Sequence, residues 1–121
     1  MKTIFLALIS IAISVLAQFT LKTGMSMPVV KAIAGKRLDG SLLLVIMTQP
    51  YVILGFLLYG IGAVVWLAVL SEWDVSKAYP MVGAGFALSG IAGYLLGEHI
   101  SLHRALGICL ICVGVWVVAR T

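Results

Sequence analysis

The sequence predicts an all-α membrane protein built from four transmembrane helices. Three observations support this. Of the 121 residues, 63% are hydrophobic and only 10% charged, with a mean hydropathy of +1.21, far from the balance of a soluble domain. The apolar residues fall into long runs, and a run of about 20 residues at about 1.5 Å each crosses the hydrocarbon of a bilayer. The polar residues collect between those runs. The length is used up by the spans, which leaves no separate soluble catalytic domain.

The first span is expected over 3–22, behind a lone Lys2. Its end, Val15-Leu16-Ala17 before Gln18, has the look of a signal-peptide cleavage site, but the run is too long for one and more apolar segments follow. From Thr23 to Gln49 the hydrophobicity is broken by Pro28, Lys31, Gly35, Lys36, Arg37, Asp39 and Gly40, giving a long first connection. Within it Ser41 to Thr48 is apolar but too short to span, so it is expected as an interfacial or re-entrant piece ending before Pro50, or as an extension of span two. The second span is expected over 51–70 and gives way to Ser71-Glu72-Trp73-Asp74, a polar interruption with an interfacial tryptophan. Span three is expected over 77–97, with Pro80 near its first turn, where a missing N–H costs least. A tight polar turn then leads to span four at 103–119.

The formal charge of +4 does not describe a nucleic-acid surface. Lys2, Lys22, Lys31, Lys36, Arg37, Lys77, Arg104 and Arg120 lie in connections and at span ends rather than along one face. Divided by side of the membrane, they favour an outside N-terminus by five to three, or four to three without Lys22. Orientation stays open on this count, dual insertion included. Four acids, two histidines and two cysteines leave little for a metal site or a nucleophilic triad, so neither an enzyme nor a cofactor is expected. Cys109 and Cys112 read as small packing residues, and His99 with His103 is too small a set to hold a metal.

Small residues allow helices to approach closely in lipid. Gly85, Ser89, Gly93 and Gly97 recur every fourth residue in span three; Gly55 and Gly62 in span two, and Gly107 and Gly114 in span four, are seven apart. Span three can use its stripe inside the bundle or between copies, whereas span four, the last helix, favours pairing with a second copy. Polar residues inside spans are costly and should face protein or a cavity. Gln18 and Lys22 stack one turn apart on span one, a cation beside an amide, which suits a phosphate. Lys77 and Tyr79 open span three, and Glu98 beside His99, His103 and Arg104 is expected to pair with Arg104 at the membrane surface.

Ala17-Gln18 with Lys22, Ala78-Tyr79-Pro80, Gly97-Glu98, and Leu106-Gly107 through Leu110 to Val115 together resemble the small multidrug resistance superfamily of four-helix transporters. Within it, Ala17 to Met25 and the Ala-Tyr-Pro segment are most similar to subunits of the undecaprenyl-phosphate-linked aminoarabinose flippase. The likeness extends over nearly the whole chain. The proton-coupled drug exporters of the superfamily place a glutamate in span one, where this chain has Gln18, and an aromatic after Ala-Tyr, where it has Pro80, Met81 and Val82. A glutamine amide has no proton to exchange, which demotes cationic-drug export.

The resemblance implies a small multidrug resistance-like bundle in the bacterial inner membrane that flips a polyprenyl-phosphate glycolipid. Gln18, Lys22, Lys77, Tyr79, Glu98 and Arg104 would contact the headgroup, while the tails stay in membrane lipid. It also implies a dimer, either of identical chains or with a related four-helix subunit. A non-transporting assembly subunit is the alternative from a different class.

Overall fold

The computed structural model describes residues 1–35 and 40–121. Lys36, Arg37 and Asp39, counted above in the first connection and in the charge balance, lie outside the described residues. Among those described, all regular structure is helical: α1 (Lys2–Met25), α2 (Pro28–Ala34), α3 (Gly40–Thr48), α4 (Pro50–Glu72), α5 (Val75–Met81), α6 (Ala84–Leu95) and α7 (Leu102–Ala119). Among the described residues four stretches are long and apolar enough to cross a bilayer: α1, α4, the run Val75–Leu95 through α5 and α6, and α7. The protein is a multi-pass membrane protein, and its many exposed leucines, isoleucines and phenylalanines form the surface that lipid would cover.

The first connection contains more helix than composition suggested. Pro28 takes the first position of α2, where its fixed φ suits a helix start, and Gly35 caps the end. α3 is a helix of its own with no buried residue. Gln49 is extended, as the residue before a proline tends to be, and Pro50 opens α4.

The tightest packing is between α1 and α4, which run antiparallel. A Cβ added to Gly24 would lie 2.8 Å from the Val52 side chain, and one on Gly55 would lie 2.6 Å from Leu21. At Gly62 the added Cβ would be 3.3 Å from the Ser14 hydroxyl, and the Gly62 carbonyl accepts a buried hydrogen bond from Ser10 Oγ at 2.7 Å. The seven-residue spacing of Gly55 and Gly62 thus serves packing within the bundle. Near the other end Ala7, Val69 and Ala78 form a buried cluster flanked by Leu6, Trp66 and Trp73, which brings α5 onto the pair.

Span three is broken. Pro80 lies inside α5 rather than in its first turn, and the helix stops at Met81. An interior proline removes a helical donor and crowds the preceding turn. Here the backbone tightens to i→i+3 bonds: Val82 to Tyr79, Gly83 to Pro80, Gly85 to Val82 and Phe86 to Gly83. Gly83 also seats the break against α7, since a Cβ there would be 2.6 Å from Val115. α7 itself buries no residue.

Candidate functional site

Between α1, α4, α6 and α7 lies a cavity of about 770 Å³. Its polar lining begins on α1, where Ser10, Ser14, Gln18 and Lys22 succeed one another at helical spacing and all face in. Across from them, α4 contributes Tyr59 and Trp66, and α6 contributes Gly85, Phe86 and Ser89. Ile108 and Ile111 of α7 give the wall an apolar side. The charged lining residues, Lys22, Glu98 and Arg104, gather at one end, which is reached by the C-terminal part of α1, the α6–α7 connection and the first turns of α7.

The end of α6 explains how Glu98 arrives there. Gly97 has φ +91°, a conformation that costs a residue with a Cβ but not glycine. The turn is closed by Glu98 N–H to Gly93 carbonyl at 2.8 Å and Gly97 N–H to Tyr94 carbonyl at 3.1 Å, the bond pair of a Schellman cap. The chain therefore doubles back, and the Glu98 side chain lies over Gly93: a Cβ at position 93 would be 2.5 Å from Glu98 Oε2. Gly93 and Gly97, read from the sequence as packing residues, thus position a carboxylate.

From this position Glu98 pairs with Lys22 rather than with Arg104. Lys22 Nζ donates to Glu98 Oε1 at 3.0 Å. Arg104 Nη1 donates instead to the His99 carbonyl at 3.0 Å, and its backbone N–H caps on Ser101 Oγ at 3.2 Å. The expected Glu98–Arg104 pair is absent because the cap at Gly97 swings Glu98 toward α1, while Ser101 starts α7 in another direction. Gln18 Nε2 donates to Tyr59 Oη, so the amide is oriented by a partner on α4 that sequence spacing did not reveal.

Lys77 and Tyr79 are placed elsewhere. They sit at the start of span three, at the opposite end of the bundle from Lys22, and neither lines the cavity. Lys77 Nζ lies 4.7 Å from the centre of the Trp73 ring, and Tyr79 is 71% exposed. Gly85 and Ser89 of the span-three stripe line the cavity, with Gly85 also close to Ile11 of α1. Gly107 and Gly114 have nothing within 4 Å of an added Cβ, so the small face of α7 is unfilled within the described residues. Among those residues no cluster of histidine, cysteine, aspartate and glutamate is arranged to hold a metal.

A second cavity of about 430 Å³ adjoins the first and is lined by Phe19, Lys22, Thr23, Ser26, Met27, Leu96 and Glu98. Phe19, Lys22 and Glu98 belong to both, so the ion pair stands where the two meet.

Comparison with known proteins finds similarity to membrane transport subunits. A Pseudomonas syringae pv. syringae protein named "Probable 4-amino-4-deoxy-L-arabinose-phosphoundecaprenol flippase subunit ArnE" is 45% identical over 62 residues, covering 50% of this chain and 57% of that protein. A protein of the same name from Pectobacterium atrosepticum is 37% identical over 70 residues, or 57% of this chain and 62% of its own length. An uncharacterized protein of Sinorhizobium fredii is 40% identical over 68 residues, 54% of this chain and 58% of its own. The chain thus spans a little over half the length of the curated relatives it matches. No protein-family model and no solved structure matches it.

Proposed function

We propose that this chain is a subunit of a bacterial inner-membrane transporter that flips a polyprenyl-phosphate-linked amino sugar. The observation that carries the reading is the cavity's uneven chemistry. A large and mostly apolar space has its two cations, Lys22 and Arg104, beside the Gln18 amide at one end. A phosphodiester entering the membrane plane loses water and must recover that cost from charge-assisted hydrogen bonds; in this reading Lys22 and Arg104 exchange their present partners for the phosphate to supply them. The relatives' names point to the same chemistry, a sugar joined through phosphate to a long isoprenoid.

The unfilled face at Gly107 and Gly114 favours a partner chain across α7, a second copy or a related four-helix subunit. Proton-coupled export of cationic drugs is disfavoured, since α1 carries no acid and the cavity carboxylate Glu98 is already paired.

The test is lipid co-purification. Mass spectrometry of protein extracted in mild detergent from cells that make the glycolipid should find a polyprenyl-phosphate species bound stoichiometrically. A partner subunit co-purifying without such lipid would favour the assembly-only role.

A further inference from the structure

We propose that Glu98 determines headgroup specificity by recognising a positive charge on the sugar. The Lys22–Glu98 pair parts, and a zwitterionic headgroup takes its two halves, phosphate on Lys22 and ammonium on Glu98. This rests on the glycolipid reading above.

The pair is built to open on one side only. Lys22 is held by a single contact at the end of a long flexible stem, and its side chain is 64% exposed. An ion pair with that exposure contributes little to stability and is easily exchanged. Glu98 is fixed by its backbone, through the cap at Gly97 and the hollow over Gly93. When Lys22 turns to a phosphate, the carboxylate stays where it is, facing the cavity beside the incoming anion. Left unpaired it would repel that anion and lose the compensation for its own desolvation. A cation carried on the same headgroup removes both penalties.

The two cavities supply the room. Lys22 and Glu98 line the 770 Å³ space and the adjoining 430 Å³ space alike, so separating them joins the two around the bound headgroup. Arg104 lines only the larger. A phosphate held by Arg104 alone would leave the Lys22–Glu98 pair closed, and the sugar's amine would then make no difference.

The experiment titrates two synthetic polyprenyl-phosphate sugars into the full chain in nanodiscs: one with an amino group on the sugar, the other with a hydroxyl at the same carbon. Quenching of tryptophan fluorescence is the readout, since Trp66 lines the cavity. The amino lipid should bind about tenfold tighter or more, the scale of one charge-assisted hydrogen bond. E98Q, which keeps the shape and removes the charge, should bind both lipids equally. Equal binding of the two by the unaltered protein overturns the inference and leaves the glycolipid reading standing. So does a preference that persists in E98Q. Failure of both lipids to bind overturns both readings.

Discussion

Lys22 Nζ and Glu98 Oε1 meet at 3.0 Å across 76 positions of sequence, joining the last turns of the first span to the turn between the third and fourth. The pair stands at the charged end of the cavity, and each side chain has a separate reason to be there.

Lys22→Ala should abolish binding of the glycolipid while leaving expression and thermal stability near normal, because an ion pair this exposed contributes less than about 1 kcal/mol. Lys22→Arg should retain part of the binding, since it keeps the charge but offers phosphate a planar fork in place of a point charge. Flipping of a labelled lipid in reconstituted vesicles and a melting curve on the same preparations decide it. Parental flipping by the alanine variant would make Lys22 a snorkelling interface residue.

Gly93→Ala should be costly only while Glu98 is present. The new methyl would sit 2.5 Å from Glu98 Oε2, so the carboxylate must leave the helix surface and with it Lys22. In a Glu98→Ala background that clash disappears and the substitution should be close to neutral. A double-mutant cycle on detergent melting should show a coupling of about 0.5 kcal/mol or more. Additive effects would mean that the hollow over Gly93 does not position Glu98.

The glycines of α4 and α7 should respond differently to leucine. Gly55→Leu drives a side chain into Leu21 and Gly62→Leu into Ser14 and the Ser10 carbonyl, so both should prevent the α1–α4 pair from forming. Gly107→Leu and Gly114→Leu enter open space and should leave the chain folded but reduce cross-linking to a neighbouring subunit. Yield of folded protein and cross-linking in membranes separate the two classes.

Gln18→Glu should not convert the protein into a drug exporter. The Tyr59 hydroxyl can donate to a carboxylate as readily as it accepts from the amide, so the fold should hold. The new charge lies one turn from Lys22 and competes with phosphate for it, which should weaken glycolipid binding by about tenfold. Cells carrying the variant should remain sensitive to quaternary ammonium compounds, and a clear gain of resistance would overturn the argument.

Much of the architecture was legible because span length and hydropathy are local properties. The break in span three is not: Lys77 marks the boundary by composition and so puts Pro80 at a helix start, whereas the helix begins at Val75 and holds the proline in its interior. In the site, Gln18 and Lys22 announced themselves as polar residues in an apolar run. The same stripe continues to Ser14 and Ser10 at four-residue spacing, a signal present in the sequence but weak, since serine costs little inside a span. Tyr59 and the Lys22–Glu98 pair were out of reach, since they depend on how α1 registers against α4 and on which way the cap at Gly97 turns the chain. Lys77 and Tyr79 enter the expected site as residues that open span three, Tyr79 within the Ala78-Tyr79-Pro80 likeness, and the antiparallel course of the chain carries them to the far end of the bundle.

The opposite signs of Lys22 and Glu98 also bear on voltage. An elementary charge moved across the full membrane potential gains or loses about 2.3 kcal/mol per 100 mV. Of the three charges on the cavity wall, these two cancel while they remain together. Any reorientation of the empty site then carries the pair through the electric field as a dipole rather than as a current. Arg104 then leaves the wall with one net positive charge; removing Glu98 would raise it to two and removing Lys22 would lower it to none, so the two changes should shift any voltage dependence of such a reorientation in opposite directions.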